Sequence, residues 1–251
     1  MPEPFELRGH HLAIELGAAR ALFTTRRGGV SDGPYATLNL GRKTPDRPEA
    51  VAANRAAVAL QAGVTLAFTR QVHGTEVVAV SEAPTELPEA DGQATTVHGL
   101  GVAALVADCL PVALAADGAV AIVHAGWRGL AGGVIEQGVA ALSRLGGEGE
   151  LRAAIGPGAG PCCYEVGDEV RAALDRWPQA LRDGTADLKA VARAQLEQAG
   201  ATEVYDVGMC TICSDPRLFF SHRRDRGVTG RQAGIAWLPS NDVHLLSPPE
   251  S

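Results

Sequence analysis

His73 in QVHG, Cys109 in ADCLP and His124 in VHAGWRG combine the residue types that hold a borderline-soft metal ion. One thiolate and two imidazoles suit zinc, and three protein ligands leave a tetrahedral ion one position for water. Such a water has its pKa lowered toward about 7, which makes hydroxide available at neutral pH. The same side chains support a second chemistry, with Cys109 as nucleophile and His124 as its base and no metal. A third reading is a buried thiol and two loop histidines without a task. The spacings match no short metal motif, so the residues alone leave these readings open.

The elements that must position them are legible around each ligand. Each of the three sits where an apolar run gives way to a Gly- or Pro-containing turn. Residues 66–72 and 76–80 are β-rich runs on either side of His73-Gly74. Residues 101–107 form a continuous apolar run that Asp108-Cys109-Leu110-Pro111 breaks. Residues 112–116 and 120–123 flank Asp117-Gly118, a strong hairpin signal. Elsewhere the pattern predicts strands over 19–25, 151–155 and 203–207. It predicts helices over 48–62, 130–145, 168–176 and 186–199, then a long polar loop over 208–233. Pro48 opens the first helix and Gly63 follows its end. Hairpins mixed with helices indicate an α+β sandwich rather than a purely parallel doubly wound sheet. Residues 1–251 read as a single catalytic domain.

Composition narrows the classes. Apolar residues make up 46% of the 251 and aromatics only 4%, so the core is built from Ala, Val, Leu and Ile. A chain this long buries on the order of 70–75% of its unfolded surface and needs no metal merely to fold. The net charge of −7 argues against a nucleic-acid partner, while leaving room for a local basic pocket. No run is apolar enough for a membrane span and no signal pattern opens the sequence, so a cytoplasmic protein is expected. Five cysteines fit reduced thiols in that compartment.

Several motifs in order carry a family resemblance. FTTRRGGVS (23–31), NLG (39–41), RQVHGTEV (70–77), ADG (90–92), VADCLPV (106–112), IVHAGWRGLAGGV (122–134), IGPGAGPCCYEVG (155–167) and FFSHRRDRGVTGRQAGI (219–235) span most of the chain. Together they resemble the laccase-domain, or "multicopper polyphenol oxidase" (YfiH-like), family. Its members are also described as purine nucleoside phosphorylases and as a peptidoglycan editing factor. The resemblance implies a mixed α/β/β/α sandwich, similar to the catalytic domain of the cytotoxic necrotizing factor toxins. It implies zinc on His73, Cys109 and His124. It implies phosphorolysis of adenosine, inosine and methylthioadenosine, and deamination of adenosine, with purine nucleoside and phosphate as partners. An amide hydrolase that removes a wrongly attached serine from a nucleotide-linked muramic acid precursor is the alternative. A binding or regulatory protein with a vestigial site is the non-enzymatic one. Seven histidines and five cysteines are too few for a multicopper oxidase, so polyphenol oxidation is discounted.

Phosphorolysis needs cations to hold phosphate. Arg26, followed by Gly28-Gly29, is the first candidate, then Arg128, His222, Arg223 and Arg224. The deaminase signature of H-x-E with P-C-x-x-C is missing. Asp91, Asp108 and Glu165 are candidate acid–base groups, each equally suited to a turn. Trp127 suits a purine stack, although a core role is favoured. Cys210-x-x-Cys213 has ligand-like spacing but no second such pair, and Cys162-Cys163 are adjacent in sequence. Both are read as incidental. Pro161 breaks the dinucleotide fingerprint from Gly156, so no NAD is expected. His10, His11, His98 and His244 are expected to be exposed.

Overall fold

The computed structural model describes residues 3–240, so His244 lies outside the described residues. The strands are β1 (Glu6–Arg8), β2 (His11–Leu16), β3 (Ala19–Phe23), β4 (Thr65–Ala67), β5 (Val77–Ala79), β6 (Gly92–Thr95), β7 (Leu100–Val106), β8 (Leu110–Asp117), β9 (Ala119–Ala125), β10 (Glu148–Ile155), β11 (Leu181–Arg182), β12 (Thr185–Ala186), β13 (Ala201–Asp206) and β14 (Gln232–Trp237). The helices are α1 (Pro48–Ala62), α2 (Trp127–Gly132), α3 (Val134–Arg144), α4 (Asp168–Ala173) and α5 (Leu188–Gln198). Two six-stranded mixed sheets run β1-β2-β3-β14-β7-β4 and β13-β10-β8-β9-β6-β5.

Period-two alternation explains the layering. In β8, Val112 and Leu114 pack toward the helices α2, α3 and α5, while Ala113 and Ala115 face the other sheet. In β9, Val123 and Ala121 face the helices while Val120 and Ile122 face the other sheet. A sheet covered on both sides has no solvent face, which is why these strands read as unbroken apolar runs. The first sheet turns its outer face, with Ala13, Leu22, Ala103 and Ile235, toward Val58 of α1 and toward Leu38, Leu40 and Phe68. The order of layers is therefore helix, sheet, sheet, helices, as expected for an α/β/β/α sandwich. The space between the sheets is filled largely by Ala, Val and Ile around the buried Phe23 ring. A Cβ at Gly156 would collide with that ring, and one at Gly234 would meet Pro111.

Four features depart from the sequence reading. The helix expected over 130–145 is two, divided at Gly133, whose φ of 91° belongs to the left-handed region. The N-terminal hairpin β1–β2 and the strand β14 were not expected. β14 begins at the end of the loop predicted over 208–233 and runs beyond it, where no strand was expected, and it sits mid-sheet between β3 and β7. Its sequence, QAGIAW, carries little strand propensity, and burial on both faces overrides this. His11, expected at the surface, is buried and accepts the Thr25 backbone N–H on Nδ1 at 3.2 Å. Burial lowers its pKa to about 4, helped by the neighbouring His10.

Phe23→Ala should lower the unfolding free energy by about 3–5 kcal/mol, measured by urea denaturation at fixed metal loading.

Candidate metal centre and cavity

The β8–β9 hairpin pairs Leu110 with Ala125 and Pro111 with His124, so Cys109 at the foot of β8 lies across from Gly126. Strand alternation turns His124 to the inter-sheet side, the side of Ile122. β6 pairs with β9 through Gly92 and Val123, which sets Asp91 next to His124. His73 arrives from the loop between β4 and β5. Gln71 fixes that loop by a reciprocal pair of hydrogen bonds to the Leu105 backbone, each 2.8 Å. The ligand atoms of His73, Cys109 and His124 all lie within 4.8 Å of one another. The two imidazole rings meet edge to face with centroids 4.8 Å apart. Gly126 keeps the space open, since a Cβ there would sit 3.1 Å from the Cys109 sulfur and 3.3 Å from His73 Cδ2. The donor set, its spacing and this cradle fit one metal ion.

Asp91 organises the site from behind. Its carboxylate accepts the backbone N–H groups of Val72, His73 and Gly74 at 3.1, 2.9 and 2.7 Å. It also takes the His124 Nδ1–H at 2.7 Å, leaving Nε2 free to bind an ion. These donors hold His73 at a φ of 61°, a conformation L residues rarely adopt. Burial opposes the Asp91 charge, but the His124 ring and the backbone donors outweigh it and hold its pKa below the ordinary carboxylate value. The Asp91 carboxylate is thus taken up in holding His73 and His124 in place. Burial likewise opposes the Cys109 thiolate, yet the adjacent His124 and His73 draw its pKa down to about 6. His124 rises to about 9 because Cys109 and Asp91 stabilise its charge against burial.

Asp108 follows the same logic. Its φ of 89° is held from three directions. Its backbone carbonyl accepts from Ala159 N at 2.7 Å, and its carboxylate accepts from Thr211 Oγ1 and Arg223 N, each at 2.7 Å.

The three ligands open onto a cavity of about 580 Å³. Seven cationic residues line it, Arg42, Lys43, Arg55, Arg70, Arg128, Arg223 and Arg231, against one acid, Asp108. His222, Tyr164 and Trp127 complete the wall. Trp127 is half-buried, packing on the helix-side core with Arg128 stacked over its ring at 4.1 Å. Burial and the nearby Cys109 raise Tyr164 to about 12, so its hydroxyl keeps its proton.

Arg128, His222 and Arg223 line this cavity, and Arg26 does not. Its guanidinium donates to the carbonyls of Ala36, Pro216 and Pro34, stacks over Phe220, and clamps two loops outside the cavity. Arg224 is similarly engaged with Asp225 and the carbonyls of Thr211 and Phe219. Glu165 is exposed and does not line the cavity. Tyr164, Gln71 and Arg231 lie in the quoted motifs CYEVG, RQVHG and GRQAG and were passed over. Arg42, Lys43 and Arg55 carry no local signal, because only the packing of α1 and its preceding loop brings them here.

Residues 20–239 match the family described as multi-copper polyphenol oxidoreductase laccase. The chain belongs to this family. Curated relatives named purine nucleoside phosphorylase occur in Xylella fastidiosa (strain Temecula1) and, as purine nucleoside phosphorylase ORF3, in Streptomyces griseus. The first is 46% identical, with 87% of this chain and 92% of that protein covered. The second is 39% identical, with 91% and 98% covered. Among solved structures, a Bacillus licheniformis hypothetical protein YfiH is similar with a TM-score of 0.87 at 34% identity, covering 94% of this chain and 100% of that one. A Neisseria meningitidis protein of the DUF152 family gives 0.83 at 38% identity, covering 92% and 100%.

Two outcomes follow from the geometry. In metal-free protein, alkylation of Cys109 should rise through an inflection near pH 6 rather than 9, because the thiolate forms above its lowered pKa. His124→Asn should move that inflection upward. Asp91→Asn should weaken metal affinity about 10–100-fold in a chelator competition, with the circular dichroism spectrum retained.

Proposed function

We propose that this chain is a zinc-dependent purine nucleoside phosphorylase whose site is the cationic cavity above His73, Cys109 and His124. The observation that carries the reading is the charge reversal. A chain of net charge −7 lines one cavity with seven cations and a single acid, directly beside a His/Cys/His set. Such a wall suits phosphate, and the volume accommodates a nucleoside and phosphate together. The names of the curated relatives support the same class. Adenosine, inosine and methylthioadenosine are the proposed substrates. Deamination of adenosine is part of the proposal through the family resemblance alone. One catalytic domain in a reducing, cytoplasmic compartment agrees with five unpaired thiols.

In phosphorolysis a phosphate oxygen bonds to ribose C1′ as the bond to the purine nitrogen breaks, giving free base and ribose 1-phosphate. Arg231 is the cation assigned to phosphate, since it is half-buried in the cavity wall and its guanidinium is held by the Thr229 and Gly230 carbonyls rather than by a carboxylate. Arg42 and Lys43 add to the field. Tyr164 keeps its proton and is assigned as the hydrogen-bond donor to the departing purine. Zinc held by the three ligands would supply Lewis acidity at the cavity floor. Polyphenol oxidation by several coppers is disfavoured by the ligand count. Among the described residues only one histidine-containing cluster exists, and it offers three ligands.

Zinc-quantified protein incubated with adenosine should release adenine and ribose 1-phosphate only when phosphate is present. Inosine formed in both tubes would add the deaminase. Unchanged nucleosides, with serine released from the muramic acid precursor, would replace this reading by the amide hydrolase. Arg231→Met should raise the KM for phosphate about 10-fold or more while the KM for the nucleoside changes little, as expected on losing a charge-assisted contact.

A further inference from the structure

The sequence treats Cys162-Cys163 and Cys210-x-x-Cys213 as incidental, and the fold overturns that by bringing all four together. The turn at 161–163 follows β10 and the turn at 211–213 follows β13. A parallel bridge between Gly158 and Cys210 sets the two segments side by side, tied by Thr211 N–H to Gly158 O at 3.0 Å. The four sulfurs lie within 4.8 Å of one another. Cys162 and Cys213 are 3.5 Å apart, and Cys162 and Cys163 are 3.6 Å apart. Gly160 has the room this needs, since a Cβ there would press on Cys162 Sγ and Cys210 Cβ at 3.3 Å.

We propose that Cys162, Cys163, Cys210 and Cys213 form a second metal site, a closed four-thiolate centre for one structural zinc ion, separate from the cavity.

The distances favour a shared cation over a sulfur–sulfur bond. A disulfide needs about 2.05 Å between sulfurs. A tetrahedral zinc with bonds of about 2.3 Å places its sulfurs roughly 3.8 Å apart, close to the separations here. A cage of several irons would spread its thiolates wider than this group allows. Four sulfurs leave no open position, which is the structural rather than the catalytic arrangement. The Cys210 sulfur also has the surroundings of a bound thiolate. Gly160 N–H points at it from 3.2 Å, and the backbone N–H groups of Ile212 and Cys213 turn toward it within the Cys-x-x-Cys turn. Four uncompensated thiols on two surface turns are otherwise a poor arrangement, because two of them, Cys162 and Cys213, are exposed.

The site would brace the cavity from outside. The 156–164 segment carries Ala159, which holds the Asp108 carbonyl, and Tyr164 on the wall. The 208–214 segment carries Thr211, which holds the Asp108 carboxylate. An ion shared by the two segments fixes both against each other, and its binding energy adds to folding.

The test is elemental analysis of the full chain purified under reducing conditions with zinc. The wild type should carry two zinc ions. Cys109→Ala should carry one, and so should Cys162→Ser/Cys213→Ser, which should also melt at a lower temperature. Cobalt added to the Cys109→Ala protein should give the intense visible and near-ultraviolet bands of an all-thiolate tetrahedral centre, absent when Cys162 and Cys213 are also replaced. If that combined variant does not fold, the cobalt spectrum of Cys109→Ala alone still decides. A Cys109→Ala protein with no metal, one zinc that survives loss of Cys162 and Cys213, iron in place of zinc, or a Cys162–Cys213 disulfide in the reduced preparation would overturn the proposal.

Discussion

A single buried carboxylate sets the geometry of the candidate metal centre. Asp91 is nearly inaccessible to solvent and would be costly there without partners. It has four, three consecutive backbone N–H groups and one imidazole. That satisfaction does two things at once. It wraps the 72–74 loop around the carboxylate, forcing His73 into its left-handed conformation, and it selects the His124 tautomer that presents Nε2. Two ligands from distant parts of the chain are thereby fixed by one side chain. The third, Cys109, needs no such device, because the β8–β9 register delivers it opposite Gly126.

The fold serves this arrangement through its two-sided central sheet. β8 and β9 are covered by helices on one side and by the other sheet on the opposite side. A strand pair packed from both faces has no freedom to slip, since a shift of one residue would exchange its two sets of side chains. Cys109 and His124 stand at the end of this pair, where the backbone is rigid but the side chains reach the cavity. Strain at His73 and Asp108 persists because the surrounding hydrogen bonds over-determine both residues.

What the sequence made legible follows the same physics. The β8–β9 hairpin, α1 and the three ligands stood out because Asp117-Gly118, Pro48 with Gly63, and His or Cys at run ends are local signals. β14 was hidden because its stability comes from neighbours on both edges and both faces rather than from its own residues. The division between α2 and α3 was a matter of one glycine conformation, and apolar periodicity continues through it. The placing of Arg26 was hidden for a related reason. A Gly-Gly turn beside an arginine suggests an anion site, but its guanidinium is filled by carbonyls. The two cysteine pairs were each unremarkable alone, and only the Gly158–Cys210 bridge makes them one group.

The way the cavity cations are held bears on what they can bind. Arg55 stacks over Phe68 at 3.8 Å and donates to the Leu40 carbonyl. Arg223 lies over Tyr164 and donates to the Glu165 carbonyl, and Arg231 donates to the carbonyls of Thr229 and Gly230. Rings and carbonyls orient a guanidinium without cancelling its charge. Arg70 and Arg128 do reach carboxylates, but at exposed positions where the pairing is weak. Away from the cavity, Arg152, Arg217 and Arg224 are neutralised by Glu or Asp. With Arg55, Arg223 and Arg231 held by neutral partners and only Asp108 as an acid in the lining, a net positive field gathers in one place on an acidic chain. Desolvation already lowers the pKa of Arg55 to about 10, with help from Arg42, so burying and gathering these charges is unfavourable. An anion with several oxygens would relieve that repulsion as it bound, which turns a cost of folding into affinity for such an anion.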